Sequence, residues 1–195
     1  MISCIYFMLT PSEKLILDNN KVITIEDVLK ENFIESFETL NNPIGLKGTL
    51  GISQEIFREI LYTVAMKYNI DELKFTETTL HYNYIKIKVP NKVLNFDTQY
   101  EVNIYPKVID NNIHLKLKDL KIGKLKLPNS IVEYVLKSNI NKLPFEIEKN
   151  EIIIDSSFIK PLYIENIKVN KGKIILNIFV TAKDIIEFTG EYNTQ

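Results

Sequence analysis

A chain of 195 residues is long enough for one sizeable core, and its 24 basic and 25 acidic side chains nearly cancel, leaving a formal charge of −1. That balance argues against a nucleic-acid partner, whose phosphates call for a concentrated basic surface. The lone cysteine, Cys4, excludes an internal disulfide and a cysteine-ligated metal site.

The first element, Ile2 to Leu9, is almost wholly apolar. It is too short to cross a bilayer, which takes about 20 residues, and no basic stretch precedes it. It reads as a buried first strand or tucked-in end, or as the stump of a membrane anchor that begins upstream of Met1. Ile2-Ser3-Cys4 also has the form of a lipoprotein cleavage site without a leader. Next, Leu15–Leu17 and Val22–Ile25 form either a short hairpin around Asp18-Asn19-Asn20 or an extended lead-in. Thr24 followed by Asp27 is a helix-start signal, and Ile25, Val28, Leu29, Phe33, Phe37 and Leu40 continue as a helical stripe. Gly45, Gly48 and Gly51 then predict a flexible linker; no phosphate-loop lysine follows them.

Ser53 caps the clearest helix, over Gln54–Tyr68. Ile56, Phe57, Ile60, Leu61, Val64, Ala65 and Tyr68 take one side, and Glu55, Arg58, Glu59 and Lys67 the other. From His81 to Ile122 a period of two predicts three long strands. Ile85, Ile87 and Val89 alternate with Lys86 and Lys88, then Tyr100, Val102 and Ile104 alternate, then Ile113, Leu115 and Leu117. The turns fall at Pro90-Asn91 and Asp110-Asn111-Asn112. A short helix follows over Asn129–Ser138, with Ile131, Val132, Val135 and Leu136 on its apolar side. A second strand set covers Phe145–Glu148, Glu151–Asp155, Tyr163–Val169 and Lys173–Ala182, with turns at Asn150 and Lys171-Gly172. The organisation expected is an N-terminal lead-in and helix over 1–50, one helix-plus-sheet domain over 51–190, and a frayed tail over 191–195.

Strand length leads to a function. Val93 to Tyr105 would run about 40 Å at roughly 3.3 Å per residue. The helix from Gln54 to Tyr68 reaches only about 22 Å at roughly 1.5 Å per residue. The expected fold is therefore α+β: a long, strongly coiled antiparallel sheet wrapped around one or two short helices, leaving an apolar groove. Its lining candidates are Ile60, Val64, Val102, Ile104, Leu115, Leu117 and Leu136. The opposing expectation is that helices and N-terminal segment fill the groove.

Chemistry is sparse. His81 and His114 sit in or beside strands with no carboxylate nearby in sequence, so they read as solvated or core residues rather than metal ligands. Ser130, Ser156 and Ser157 lie in no nucleophile elbow. No catalytic residue, cofactor or metal is expected. Tyr82 and Tyr84 on the polar face of a strand are candidates for an interface, or for cross-strand packing. The spread of lysine, including Lys116–Lys126, reads mainly as a solubilising outer face, with an anionic membrane surface as a lesser reading.

The order of a Ser-capped helix, long alternating strands, "LKDLKIGKLKLPNSIVEYVLKSN" and a terminal strand set resembles the YpmS-like envelope proteins of Gram-positive bacteria. The likeness spans Gly51 to Ala182, and Gly123-Lys124-Leu125-Lys126-Leu127-Pro128 is its most specific piece. That family is itself similar to tubular lipid-binding (TULIP-like) proteins, in which a coiled sheet around a helix encloses an acyl chain. The resemblance implies a non-enzymatic domain anchored at the cell membrane on its extracytoplasmic side, binding a lipid or other apolar ligand; a cytoplasmic place stays open. The alternative is an envelope interaction or scaffold protein with a filled core, meeting a protein partner through strand edges or Tyr82 and Tyr84. A hydrolase, recognisable by a Ser or His converging with a carboxylate, is third.

Overall fold

The computed structural model describes residues 8–11, 20–24, 27–28, 38–41, 43–93, 96–128, 130–134, 145–184 and 186. The fold is α+β and mostly antiparallel, and its strands form two sheets where a single sheet is expected. The four-stranded sheet has the order β1 (Glu38–Asn41), β2 (Ile44–Ser53), β11 (Lys173–Thr181), β10 (Tyr163–Asn170). The seven-stranded sheet has the order β3 (Glu77–Leu80), β4 (Ile85–Val93), β5 (Phe96–Ile109), β6 (Asn112–Ile122), β9 (Glu151–Ile154), β8 (Glu146–Glu148), with β7 (Leu125–Lys126) also on β6.

The long meander β4–β5–β6 is present, but its first turn is not at Pro90-Asn91: Pro90 pairs with Gln99 and Asn91 with Thr98, and β4 runs on to Val93, opposite Phe96. Asp110 and Asn111, at φ 49° and 64°, make the two-residue turn between Ile109 and Asn112, a geometry that suits Asx residues. Lys149-Asn150 and Lys171-Gly172 turn β8 into β9 and β10 into β11. One irregularity interrupts β6. Glu101 pairs with Lys121 but Asn103 pairs with Lys118, so β6 carries an extra residue there, with Asp119 at φ 54°.

Three further expectations are corrected. The glycine-rich segment is no linker: β2 runs unbroken from Ile44 through Ser53 and pairs along its length with β11, from Thr181–Gly45 to Lys173–Ser53. A Cβ at Gly45 would overlap the Val180 carbonyl oxygen, so this glycine admits the neighbouring backbone. Leu40 belongs to β1, opposite Gly45, and not to a helix. Residues 20–24 hold no strand, which leaves the extended lead-in; Leu15–Leu17 lies outside the described residues. Ile23 is buried there, its N–H donating to Thr63 Oγ1 at 3.0 Å. The helix start at Thr24 does form, with Thr24 and Asp27 exchanging side-chain-to-backbone hydrogen bonds at 2.9 and 3.2 Å.

Helix α1 (Gln54–Lys67) begins at Ser53, whose hydroxyl accepts from Ile56 N–H at 3.2 Å. Gln54 joins the sheets. Its N–H donates to Gly172 O at 3.2 Å, and its side-chain oxygen accepts from Leu80 N–H at 3.1 Å. Gly172 N–H donates back to Leu80 O at 3.3 Å, and Asn83 N–H donates to Val169 O at 2.8 Å. One corner therefore binds the α1 start, the β3–β4 loop and the β10–β11 turn. A short helix α2 (Asp71–Lys74) follows α1 and packs on β4. From that corner β10 lies over β5, and both sheets share one core. Leu50, Ile52, Ile164, Val169, Ile174, Leu176 and Ile178 come from the smaller sheet; Leu80, Ile85, Ile87, Ile104, Leu117, Leu120 and Ile152 come from the larger.

The expected second helix is present over 130–134, with Val132 buried; 135–144 lie outside the described residues. At the same end Leu9 is buried. Its carbonyl accepts from Thr98 Oγ1 at 2.6 Å, and Met8 O accepts from Lys124 N–H at 2.8 Å. Gly123, at φ 58°, lies so close to the Leu9 backbone that a Cβ there would collide with it.

Candidate functional site

Helix α1 sets the first part of the site. Its apolar stripe is continuous, yet Ala65 is its only buried residue; Ile56, Phe57, Ile60, Leu61 and Val64 are all half-buried. A helix whose stripe is fully matched by its neighbours withdraws it from water at about 25 cal/mol per Å² of apolar area, so the incomplete burial leaves attraction unused. The inner face of the large sheet lines the same core, with β10 lying over β5 and α1 meeting β2 and β3. Ile104 on β5 and Leu117 on β6 face each other directly and are buried as its floor. Val102 and Leu115, one step to either side, are only half-buried and pack against the shared core, as does Ile60. Val64 lies one helical turn beyond Ile60. Of the seven lining candidates, Ile60, Val102, Ile104, Leu115 and Leu117 thus share one apolar region, and Leu136 lies outside the described residues.

The outer face of the same sheet carries the second part. Tyr84 lies one position beyond the Ile85–Ile104 pair, which brings it opposite Tyr105 at 5.5 Å between ring centroids. His81, across the β3–β4 loop, stacks on Tyr84 at 4.7 Å and 12°. Lys118 holds its ammonium 4.5 Å from the Tyr105 ring centre. Burial, then the charges of Lys86 and Lys171, lower the His81 pKa, which favours the neutral imidazole. The two tyrosine candidates therefore differ: Tyr84 sits within a row of rings, whereas Tyr82, in the loop, is 68% exposed. Sequence reasoning missed His81, Tyr105 and Lys118 as members of this row. Their alignment depends on strand register, which alternation within one strand does not reveal.

A third cluster lies further along that face. His114 Nδ1 is 2.8 Å from Glu151 Oε1, and Lys107 Nζ is 3.2 Å from the same oxygen. Burial raises the Glu151 pKa, but hydrogen bonds from Lys107 and His114 outweigh it and hold the carboxyl below its ordinary range. A histidine and a carboxylate do converge here, on β6 and β9. No serine hydroxyl among the described residues hydrogen-bonds His114. The backbone N–H groups of Ser156 and Ser157 donate to Asn112 Oδ1 and Asp155 Oδ1. Among the described residues, no three His, Cys, Asp or Glu side chains could hold a metal ion together. No helix among them is long and apolar enough to cross a membrane.

Comparison with protein-family models, curated proteins and solved structures finds no match for this chain.

Proposed function

We propose that this chain is a non-enzymatic, membrane-proximal domain that holds a lipid or another apolar molecule between α1 and the inner face of the large sheet. In this reading the sheet coils about its helices as in tubular lipid-binding proteins, and the domain stands on the extracytoplasmic side of a YpmS-like Gram-positive envelope. The observation that carries it is that the α1 stripe and, on the inner face of the large sheet, Val102 and Leu115 are all only half-buried against one shared core. Lengths support it too. β5 has 14 residues and α1 also has 14, so the strand runs about 46 Å against about 21 Å for the helix. A membrane-proximal placement draws on the end where Met8 and Leu9 meet Gly123 and Lys124. Met8, Leu125, Ile131 and Tyr134 are all exposed there, a residue set suited to a lipid interface.

The test is titration of the purified chain with a fluorescent fatty-acid analogue. Saturable binding that unlabelled fatty acid displaces, and that Leu115→Trp removes while the far-ultraviolet spectrum is kept, supports the proposal. Absence of saturable binding to the intact chain overturns it. A second reading, an interaction module with a filled core and no ligand, draws on the exposed Tyr82 and the ring row behind it.

A further inference from the structure

We propose that the outer face of the large sheet is a docking surface for an acidic segment of a partner protein, centred on Tyr84, Tyr105, Lys116 and Lys118. The register builds this face row by row. Tyr105 pairs with Lys116, which continues the row begun by His81 and Tyr84, and Lys116 in turn stands opposite Glu151, whose Oε1 is held by Lys107 and His114. In the next row Lys86 pairs with Asn103, and Asn103 with Lys118. Every carboxylate bordering these rows already has a cation. Glu101 takes Lys86 at 3.5 Å and Lys121 at 3.0 Å; Glu151 takes Lys107 and His114; Glu77 takes Lys88 at 3.0 Å. Asp119, at the bulge, takes Lys126 at 2.6 Å. Lys116 and Lys118 are exposed, and no carboxylate among the described residues lies within ion-pair distance of either. A surplus of positive charge on one face of a chain of net charge −1 is a local feature of the fold.

The rings choose among anionic partners. His81 and Tyr84 cover one face of each other, and Lys118 covers one face of Tyr105, which reduces the ring area open to stacking on a nucleic-acid base. Among the described residues no exposed aliphatic side chain lies on these rows: Met8, Leu125 and Ile131 lie with the Gly123 turn and the 130–134 helix, and Ile109 lies at the far end of β5. What the rows offer is ammonium groups and the Tyr84 and Tyr105 hydroxyls, neither of which is hydrogen-bonded among the described residues. Those donors suit carboxylates. Tyr82, projecting beside them, supplies an aromatic anchor of the kind that dominates protein interfaces. This surface is the reverse side of the sheet from the apolar groove and does not depend on it.

The experiment is an NMR titration of the full chain with a synthetic polyglutamate peptide at low ionic strength. Saturable shifts confined to His81, Tyr82, Tyr84, Asn103, Tyr105, Lys116 and Lys118 are expected. The His81 imidazole should titrate at higher pH in the complex, since a carboxylate near it favours the imidazolium. The double variant Lys116→Glu, Lys118→Glu changes two exposed side chains and should weaken binding by roughly tenfold or more. Tyr82→Ala should weaken it independently. Shifts scattered over lysines elsewhere, or binding indifferent to the double variant, would overturn the proposal. So would a single-stranded oligonucleotide or anionic vesicles perturbing the same residues at lower concentration than the peptide.

Discussion

Ile104 of β5 and Leu117 of β6 stand directly opposite each other across the large sheet, 9% and 5% exposed, while Val102 and Leu115 beside them remain half in contact with solvent. The two pairs have different consequences. Leu117→Ala leaves a cavity in the shared core and should cost about 2–5 kcal/mol in urea unfolding. Leu115→Ala removes surface that is only partly buried, so it should cost distinctly less while reducing uptake of the fluorescent fatty acid. Equal losses of stability at the two sites would mean the inner face is uniformly packed.

The corner at Gln54 gives a second test. Its side-chain oxygen accepts from Leu80 N–H, and Leu80 is 2% exposed, so losing that acceptor strands a backbone donor. Gln54→Ala should cost about 1–3 kcal/mol in unfolding free energy, more than a solvent-facing helical residue does. Ser53→Ala, which removes the α1 cap, should cost about 1 kcal/mol.

Two glycines should respond by different mechanisms. At Gly172, φ is 83° and no atom lies within 4 Å of an added Cβ, so Gly172→Ala should cost only backbone strain, about 1–2 kcal/mol. At Gly45 the added Cβ meets the Val180 carbonyl, so the β2–β11 ladder must shift. Hydrogen exchange should then quicken along β2 and β11 in Gly45→Ala and stay local to the turn in Gly172→Ala.

These contrasts show how much of the molecule is legible in the chain alone. The β4–β6 meander, the Ser53 cap and the Asp110-Asn111 and Lys171-Gly172 turns are readable because each is encoded within a few residues. The pairing of β2 with β11 is not. Gly45, Gly48 and Gly51 carry a local turn signal that a partner more than 120 positions away overrides, and no local rule contains that partner. For the candidate site, Ile104 and Leu117 follow from alternation, whereas the ring row and the Glu151 cluster require the register of β4, β5, β6 and β9. The half-burial of α1 is likewise a property of packing: the stripe announces a buried face without saying how well it is covered.

The acid limb of stability should report on the outer face. Glu151 is held below the ordinary glutamate range, burial opposing and Lys107 and His114 prevailing; Glu101 is held low likewise, against burial, by Lys121 and Lys86. A depressed folded-state pKa supplies stability that is present above the unfolded value, about 4.3 for Glu, and is lost as pH falls through the folded value. Glu151→Gln should therefore be less stable than the parent chain at pH 7. Their difference should shrink as pH drops below the ordinary glutamate value. A difference that stays constant with pH would show that the Glu151 charge does not stabilise the fold.

The most direct measurement of the central claim is native mass spectrometry of the full chain purified without detergent, paired with solvent extraction of the same sample. An apolar guest between α1 and the inner sheet predicts a discrete adduct above the 22.7 kDa chain, recoverable as lipid and diminished in Leu115→Trp. A bare mass throughout, with no lipid in the extract and none taken up on adding fatty acid, would contradict it.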